Sequence, residues 1–488
     1  MSKYYNKYLS LLFVFYLTAH GGILLLPSAI YWDDWNIYQQ KPEPVIELFT
    51  EQAGTLFYLE GYMHVAMLKV GPWSYKLFTF VLMFATGLIL NGILKRHLNI
   101  SPEIRFFIVL LFLVLPFNLS RVALITFRYT LCYFMFFLGW LLIDRHRIWA
   151  LFLFFMSFNT NSTLVFYAVP IFDSLYRSGT LSSWRSMLRF SVRHVDFLLL
   201  PFIYFYIKLY YFPPTGSMKG YNEEYAIRNL FYAPIPQLIE VFGLKTSIGF
   251  AGLLSVIVFY TLQGKVRVLQ GKELFTTTLF SVGAIAFILA CFPYWILGKV
   301  PSFAEWTSRH QLLLPLGVSL ITVAAWSYLN GSLGVISIVV GLSLAVNISA
   351  YKDFFIDWQK QQQLIYLFSE NSKIFNGRLI IIDDRTESMN AISRVFRFYE
   401  WNGLLEAAFG DEKRFGINRA EIPIYLAGKY DRFFTALYNA ESFKRDFQVS
   451  PINVEINRLK SEKIIDKFKR VLFPQFSLTV TKANLNAN

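Results

Sequence analysis

Residues 8–30 contain no Asp, Glu, Lys or Arg, and only Thr18, His20 and a few small residues interrupt the apolar side chains. A stretch of that kind is long enough to cross a bilayer, which takes about 20 predominantly apolar residues. Lys3 and Lys7 stand in front of it, and no small-residue cleavage site follows. Its apolar part also exceeds a usual signal-peptide core, so it reads as an uncleaved first span. Further runs at 73–94, 106–117, 129–143, 195–212, 247–262, 274–297, 312–329 and 333–350 are likewise predominantly apolar. Only 16% of the chain is charged, against about 25% in soluble domains, which supports a membrane class over a soluble one.

The stretch 148–174 is long enough for one span, but Asn159, Thr160, Asn161 and Ser162 interrupt it. Polar groups at membrane depth are tolerated where they are buried or line a cavity. We read two half-membrane helices joined by a turn at residues 159–161, which brings the total to about eleven crossing or half-crossing segments. The expected fold is mainly α, a polytopic transmembrane bundle over 1–350, with the first outer loop at 31–72.

Lysines and arginines in short loops set orientation. With the N-terminus inside, the inner loops hold Lys3, Lys7, Lys95, Arg96, Arg105, Arg145, Arg147, Arg177, Arg185, Arg189, Arg193, Lys265, Arg267 and Lys272. The outer loops hold Asp33, Asp34, Glu43, Glu47, Glu51, Glu60, Glu223, Glu224, Glu240 and Glu305. One continuous span at 148–174 would put Arg177 to Arg193 outside, so the half-helix reading keeps the segregation intact. The net charge of +14 is therefore largely a topology signal and needs no nucleic acid. Residues 181–190 read as a basic amphipathic stretch on the inner surface. Cys132 and Cys291 lie in apolar runs and read as packing residues.

Beyond residue 350 the composition becomes mixed, and 351–488 reads as a small outer α/β domain. "GRLIIIDDRTE" reads as a buried strand ending in a turn at Asp383 and Asp384. "AEIPIYLAG" and "FSLTVTKA" are further strand candidates, and "SEKIIDKFKRVL" has helical apolar spacing.

The chemistry centres on "YWDDW" at 31–35, directly after the first span. Asp33 and Asp34 are either a solvated helix end or a catalytic pair. Neighbours on an extended loop point in opposite directions, so one acid faces a cavity while the other holds a backbone or basic group. Tyr31, Trp32 and Trp35 read either as an interfacial belt or as an anchor beside the site. In the following loop, aromatic and acidic residues at helical spacing indicate short interfacial helices. Glu60 and His64 fall one helical turn apart there, and His64 is either an ordinary interfacial histidine or a ligand contact. "GKVPSFAEWTSRHQLLLP" offers Lys299, Arg309 and His310 at the mouth of two spans, as phosphate contacts or as snorkelling cations. Arg121 and Arg128 flank another outer turn, against the charge rule, and an anionic ligand accounts for such a departure.

This layout resembles the GT-C superfamily of integral-membrane glycosyltransferases over roughly residues 1–350. The points of likeness are the first span, the acidic pair of "YWDDW", interfacial helices in the first loop, many spans and a C-terminal outer domain. The branch most similar in layout is the bacterial group that decorates surface polysaccharide, such as the serotype-converting glucosyltransferases. Asn36 and "LEGYMH" stand where many of its members have an Arg and a Gly-Arg pair.

The resemblance implies a bacterial inner-membrane enzyme with its site on the periplasmic side. It would transfer a hexose, such as glucose, with inversion, from undecaprenyl phosphate to a surface glycan such as O-antigen of lipopolysaccharide, or to a lipid-linked glycan. Carried over, Asp33 or Asp34 is the general base, with Asp33 favoured. Glu60, His64, Arg128, Lys299, Arg309 and His310 are the substrate-contact candidates. No cofactor is required; a divalent metal is compatible with these residues, which form no dense ligand cluster. Two other readings stay open: a polymerase or ligase using polyprenyl-pyrophosphate glycans, and a transporter of lipid-linked sugars.

Overall fold

A computed structural model describes residues 2–38, 40–52, 54, 56, 59–97, 100–180, 183–215, 225–242, 247–264, 273–300, 302–303, 306–328, 331–371, 379–410, 414–426, 452–459 and 473–482. The chain is mainly helical, with α1 (Ser2–His20), α2 (Leu59–Val70), α3 (Pro72–His97), α4 (Pro102–Val114), α5 (Phe127–Leu142), α6 (Arg147–Ser157) and α7 (Ala168–Arg177). They continue with α8 (Trp184–Arg193), α9 (Val195–Tyr211), α10 (Ile248–Leu262), α11 (Glu273–Trp295), α12 (Leu314–Tyr328), α13 (Leu333–Glu370) and, near the C-terminus, α14 (Phe398–Phe409). Start signals are local: the Ser101 hydroxyl accepts from Ile104 N at 3.3 Å and Pro102 occupies the first turn of α4.

Among the described residues, four stretches are long and apolar enough to cross a membrane: Tyr8–Leu25, Pro72–Arg96, Thr277–Trp295 and Leu333–Glu370. A fifth is formed if α8 and α9, bent by 62° at their junction, count together. The break at 159–161 is real: α6 ends at Ser157 and a five-residue helix, Ser162–Phe166, starts after the turn and leads into α7. Helices approach closely at small residues, as lipid-embedded pairs do. A Cβ on Gly341 of α13 would stand 2.5 Å from Ser255 N of α10.

At 38 residues, α13 is about 57 Å long, well beyond the roughly 30 Å of hydrocarbon. It runs without a break through residue 350, and its far half buries Asp357, Lys360 and Gln361. Those groups fasten the C-terminal unit. Lys360 Nζ donates to Asp384 Oδ2 at 2.5 Å and Asn390 Oδ1 at 2.7 Å. Asp357 Oδ2 accepts from Ala391 N and Arg394 Nη2, both at 2.8 Å, and Arg394 also pairs with Glu400.

The unit holds a four-stranded sheet in the order β2-β1-β3-β4, from β1 (Leu379–Asp384), β2 (Phe415–Asn418), β3 (Ile452–Arg458) and β4 (Phe476–Lys482). β1 is parallel to β2 and β3, and β4 is antiparallel to β3. Its apolar residues share one core with Ile30 and the first loop: Ile30, Trp35, Val45 and Phe49 pack with Leu364, Ile380, Trp401 and Val454.

Several expectations are corrected. The described part of "AEIPIYLAG", residues 420–426, is helical, with a 3-10 turn at Arg419–Glu421 and an α-helix at Ile422–Leu426. Glu421 caps it by accepting from Asn418 N at 2.9 Å. Asp383 and Asp384 belong to β1, and the turn follows them. β2 and β3 were not legible as strands. "FSLTVTKA" does form β4, whereas the "SEKIIDKFKRVL" helix, Glu223, Glu224, Glu305, Lys265, Arg267 and Lys272 lie outside the described residues.

Candidate active site

The acidic pair sits on a 3-10 turn, Trp32–Asn36, and not on an extended loop. Trp32 has φ 51, a left-handed conformation that is costly for a bulky side chain. Its surroundings hold it there: Trp306 at 4.4 Å and Phe354 at 5.7 Å between ring centroids, with the Arg394 guanidinium 5.5 Å above. Trp35 is pressed against α14, where a Cβ on Gly403 would stand 2.3 Å from its ring. Both tryptophans are buried within the protein, which corrects the interfacial-belt reading.

Asp34 is wholly buried. Its Oδ2 accepts from Tyr31 N at 3.1 Å and Leu124 N at 2.9 Å, and Oδ1 accepts from Ile125 N at 2.9 Å. Burial pushes its pKa up to about 6, against the Lys76 charge and these three N–H groups. Asp34 is thus a staple between the first loop and the 119–126 turn. Lys76, buried on α3, donates to Val122 O in that turn.

Asp33 is half-buried and faces another way. Burial raises its pKa from the ordinary 3.8, while the Tyr399 hydroxyl and the Arg309 charge oppose the rise. Burial and the Asp33 charge keep the Tyr399 phenol protonated, so it acts as a donor. Arg309 lies over Trp306, 5.1 Å from the ring centroid, and donates to Trp306 O at 3.1 Å.

Arg309 leads to a second group of charges. Both it and Arg128 act on Tyr129, whose hydroxyl accepts from Arg128 Nη2 at 3.0 Å. Arg128 Nη1 donates to both Glu60 oxygens, at 3.2 and 3.3 Å. Glu60 is buried, which raises its pKa against the charges of Arg128 and Lys208. Lys208 Nζ donates to Asn161 Oδ1 at 3.0 Å, in the turn that breaks the 148–174 stretch. The same turn meets the first loop, where Leu56 N donates to Asn159 Oδ1 at 3.2 Å.

His310 stacks on Tyr294 at 4.6 Å, and burial with the Arg309 and Lys299 charges holds its pKa well below 6.5. His64 lies behind Glu60, 3.9 Å from it, stacked on Phe49 at 4.1 Å and 3.0 Å from the Tyr75 hydroxyl. Burial, aided by Arg128, lowers its pKa to about 3.

The structure therefore groups Asp33, Arg309, Arg128 and Glu60, with Lys299 and His310 beside Arg309. Asp34 serves the scaffold, and His64 packs behind Glu60 with its ring against Phe49 and Tyr75. Sequence reading missed Tyr399, Tyr129, Lys76 and Lys208. The two lysines carried a signal, each being a lone cation in an apolar run.

No protein-family model, curated protein or solved structure matches this chain. The site offers one ionisable carboxylate with access to solvent, an adjacent phenol, and an excess of cations over acids near the ends of apolar helices.

Proposed function

We propose that this chain is an integral-membrane glycosyltransferase that takes a sugar from a polyprenyl-phosphate carrier and passes it to a glycan hydroxyl with inversion. The observation that carries the reading is the position of Asp33: half-buried, raised in pKa, and flanked by Tyr399 and Arg309. In this reading Asp33 removes the acceptor proton. The acceptor oxygen forms a bond to the anomeric carbon as the bond from that carbon to the phosphate oxygen breaks. Polyprenyl phosphate leaves, and Arg309 with Arg128 and Lys208 stabilises its charge. Trp306 and Tyr129 give the sugar apolar faces beside those cations.

The reading places about eleven crossing or half-crossing segments in a bacterial inner membrane. The turn at 159–161 then reaches the outer half of the bilayer, and the C-terminal unit caps the site from the periplasm. No step in it calls for a cofactor. The test is reconstitution of the purified full chain with a polyprenyl-phosphate hexose and a lipid-linked glycan acceptor. Glycan gaining one hexose, with free polyprenyl phosphate, is the expected product. Consumption of pyrophosphate-linked oligosaccharide alone would make it a polymerase or ligase, and lipid movement without a new bond would make it a transporter.

A further inference from the structure

A second site stands at the other end of the bundle. Tyr75 and Lys95 lie near opposite ends of α3, about 30 Å apart along its axis. There α3 and α5 border a cleft of about 500 Å³. Leu88, Gly92 and Leu141 form its apolar wall, and Lys95, Arg96 and Arg145 its cationic rim. All three cations are exposed. Arg96 Nη1 donates to Leu141 O at 2.7 Å, which ties the end of α3 to α5 and fixes one guanidinium at the rim.

The nearby acids are committed elsewhere. Asp144 binds Arg177 at 2.7 Å, Asp173 lies 3.3 Å from Arg177 Nε, and Asp196 pairs with Arg147. Among the described residues, no ion pair joins Lys95, Arg96 or Arg145 to a carboxylate. Three cations over an apolar wall, at the end of a membrane-length helix, match a ligand that is anionic at one end and hydrocarbon at the other.

α8 reinforces the assignment from the same end of the molecule, since Arg147 at the start of α6 pairs with Asp196 just beyond α8. Trp184, Leu188 and Val192 form an exposed apolar stripe on α8, at i, i+4 and i+8. Arg185, Arg189 and Arg193 form a basic stripe beside it. The 62° bend into α9 turns α8 across the direction of that span, the posture of a helix lying on an anionic bilayer surface.

We propose that the cleft between α3 and α5 binds an anionic phospholipid, its headgroup phosphate held by Lys95, Arg96 and Arg145 and an acyl chain laid along Leu88, Gly92 and Leu141. The cations and the wall are both used by such a lipid, whereas free phosphate would use only the cations. The site is independent of the chemistry at Asp33.

The full chain, purified in neutral detergent and exposed to an equimolar mixture of phosphatidylglycerol and phosphatidylcholine, is examined by native mass spectrometry. Selective retention of phosphatidylglycerol is expected. The Lys95→Gln/Arg145→Gln variant, which keeps the Arg96 bond to Leu141, should bind it about 10-fold or more weakly, since each cation near a lipid surface is worth about 5-fold. Arg185→Gln/Arg189→Gln should retain the bound lipid. Equal retention of the two lipids, or undiminished binding by the first variant, would overturn the proposal. So would an equal loss from the second variant, which would mean diffuse surface charge, or displacement of the lipid by inorganic phosphate, which would mean a soluble-anion site.

Discussion

Asp34 Oδ1 lies 2.9 Å from the backbone nitrogen of Ile125, a residue 91 positions further along the chain. With the bonds from Leu124 and Tyr31, it makes the second acid of the pair a structural one. That leaves Asp33 as the acid available to the proposed chemistry.

Asp34→Asn should therefore damage the fold of the site before it damages any chemistry. An amide places its NH₂ where an oxygen now accepts a backbone N–H, and hydrogen bonds to charged groups are worth about 1.5–3 kcal/mol each. A loss of roughly 3 kcal/mol or more, read as a lowered Tm of the purified protein, is the expected outcome. An unchanged Tm would show that the 119–126 turn does not depend on the staple.

The second acidic pair should divide in the same way. Asp384 is buried 2.5 Å from Lys360, while Asp383 is exposed at the end of β1. Asp384→Asn leaves a buried ammonium short of its counter-charge, which costs about 3–5 kcal/mol when one partner of such a pair is removed. Asp383→Asn should stay within about 0.5 kcal/mol of the parent, as exposed substitutions do. Thermal unfolding of the two single variants checks both figures.

Membrane-length helices and their breaks are written in local periodicity, so α1, α3, α11, α13 and the turn at 159–161 were legible. So was β1, as three isoleucines before two acids. The length of α13 was not: its second half carries Asp357, Lys360 and Gln361, which look like a solvated surface until Arg394 and Asp384 cover them. The environment of the candidate base was equally hidden. Tyr31 donates to Phe354 O across 323 residues, and Tyr399 reaches Asp33 from the far end of the chain. Such partners leave no periodic trace. Trp32 and Trp35 looked like membrane anchors because burial by a distant helix such as α14 cannot be read at residues 31–35.

Tyr399 should tune Asp33. Tyr399→Phe removes a hydrogen-bond donor to the ionised carboxylate, so the Asp33 pKa should rise further above the ordinary 3.8. The acid limb of the pH–rate profile should move to higher pH by about one unit. Donor KM should stay constant, because a residue that acts through Asp33 does not touch the lipid. An unshifted acid limb would assign Tyr399 to packing alone.

Stability and turnover should oppose each other at Asp33. Its folded pKa lies above 3.8 because burial disfavours the charge. The sign follows: its stabilising contribution is complete below the unfolded value and is lost as pH rises through the raised folded value. Above that folded value the ionised carboxylate is a strain on the fold, so Asp33→Asn should leave Tm unchanged or raise it there. A clear fall in Tm in that range would make Asp33 a structural acid like Asp34.

The most direct measurement is the transfer rate of purified Asp33→Asn protein, with saturating polyprenyl-phosphate sugar and glycan acceptor, beside the unaltered chain. Loss of a general base typically costs 10²–10⁴-fold. A rate lower by about 10²-fold or more, with donor affinity preserved, is the result expected of a base that contacts only the acceptor. Transfer at near the parent rate would contradict the assignment of Asp33 as the catalytic base.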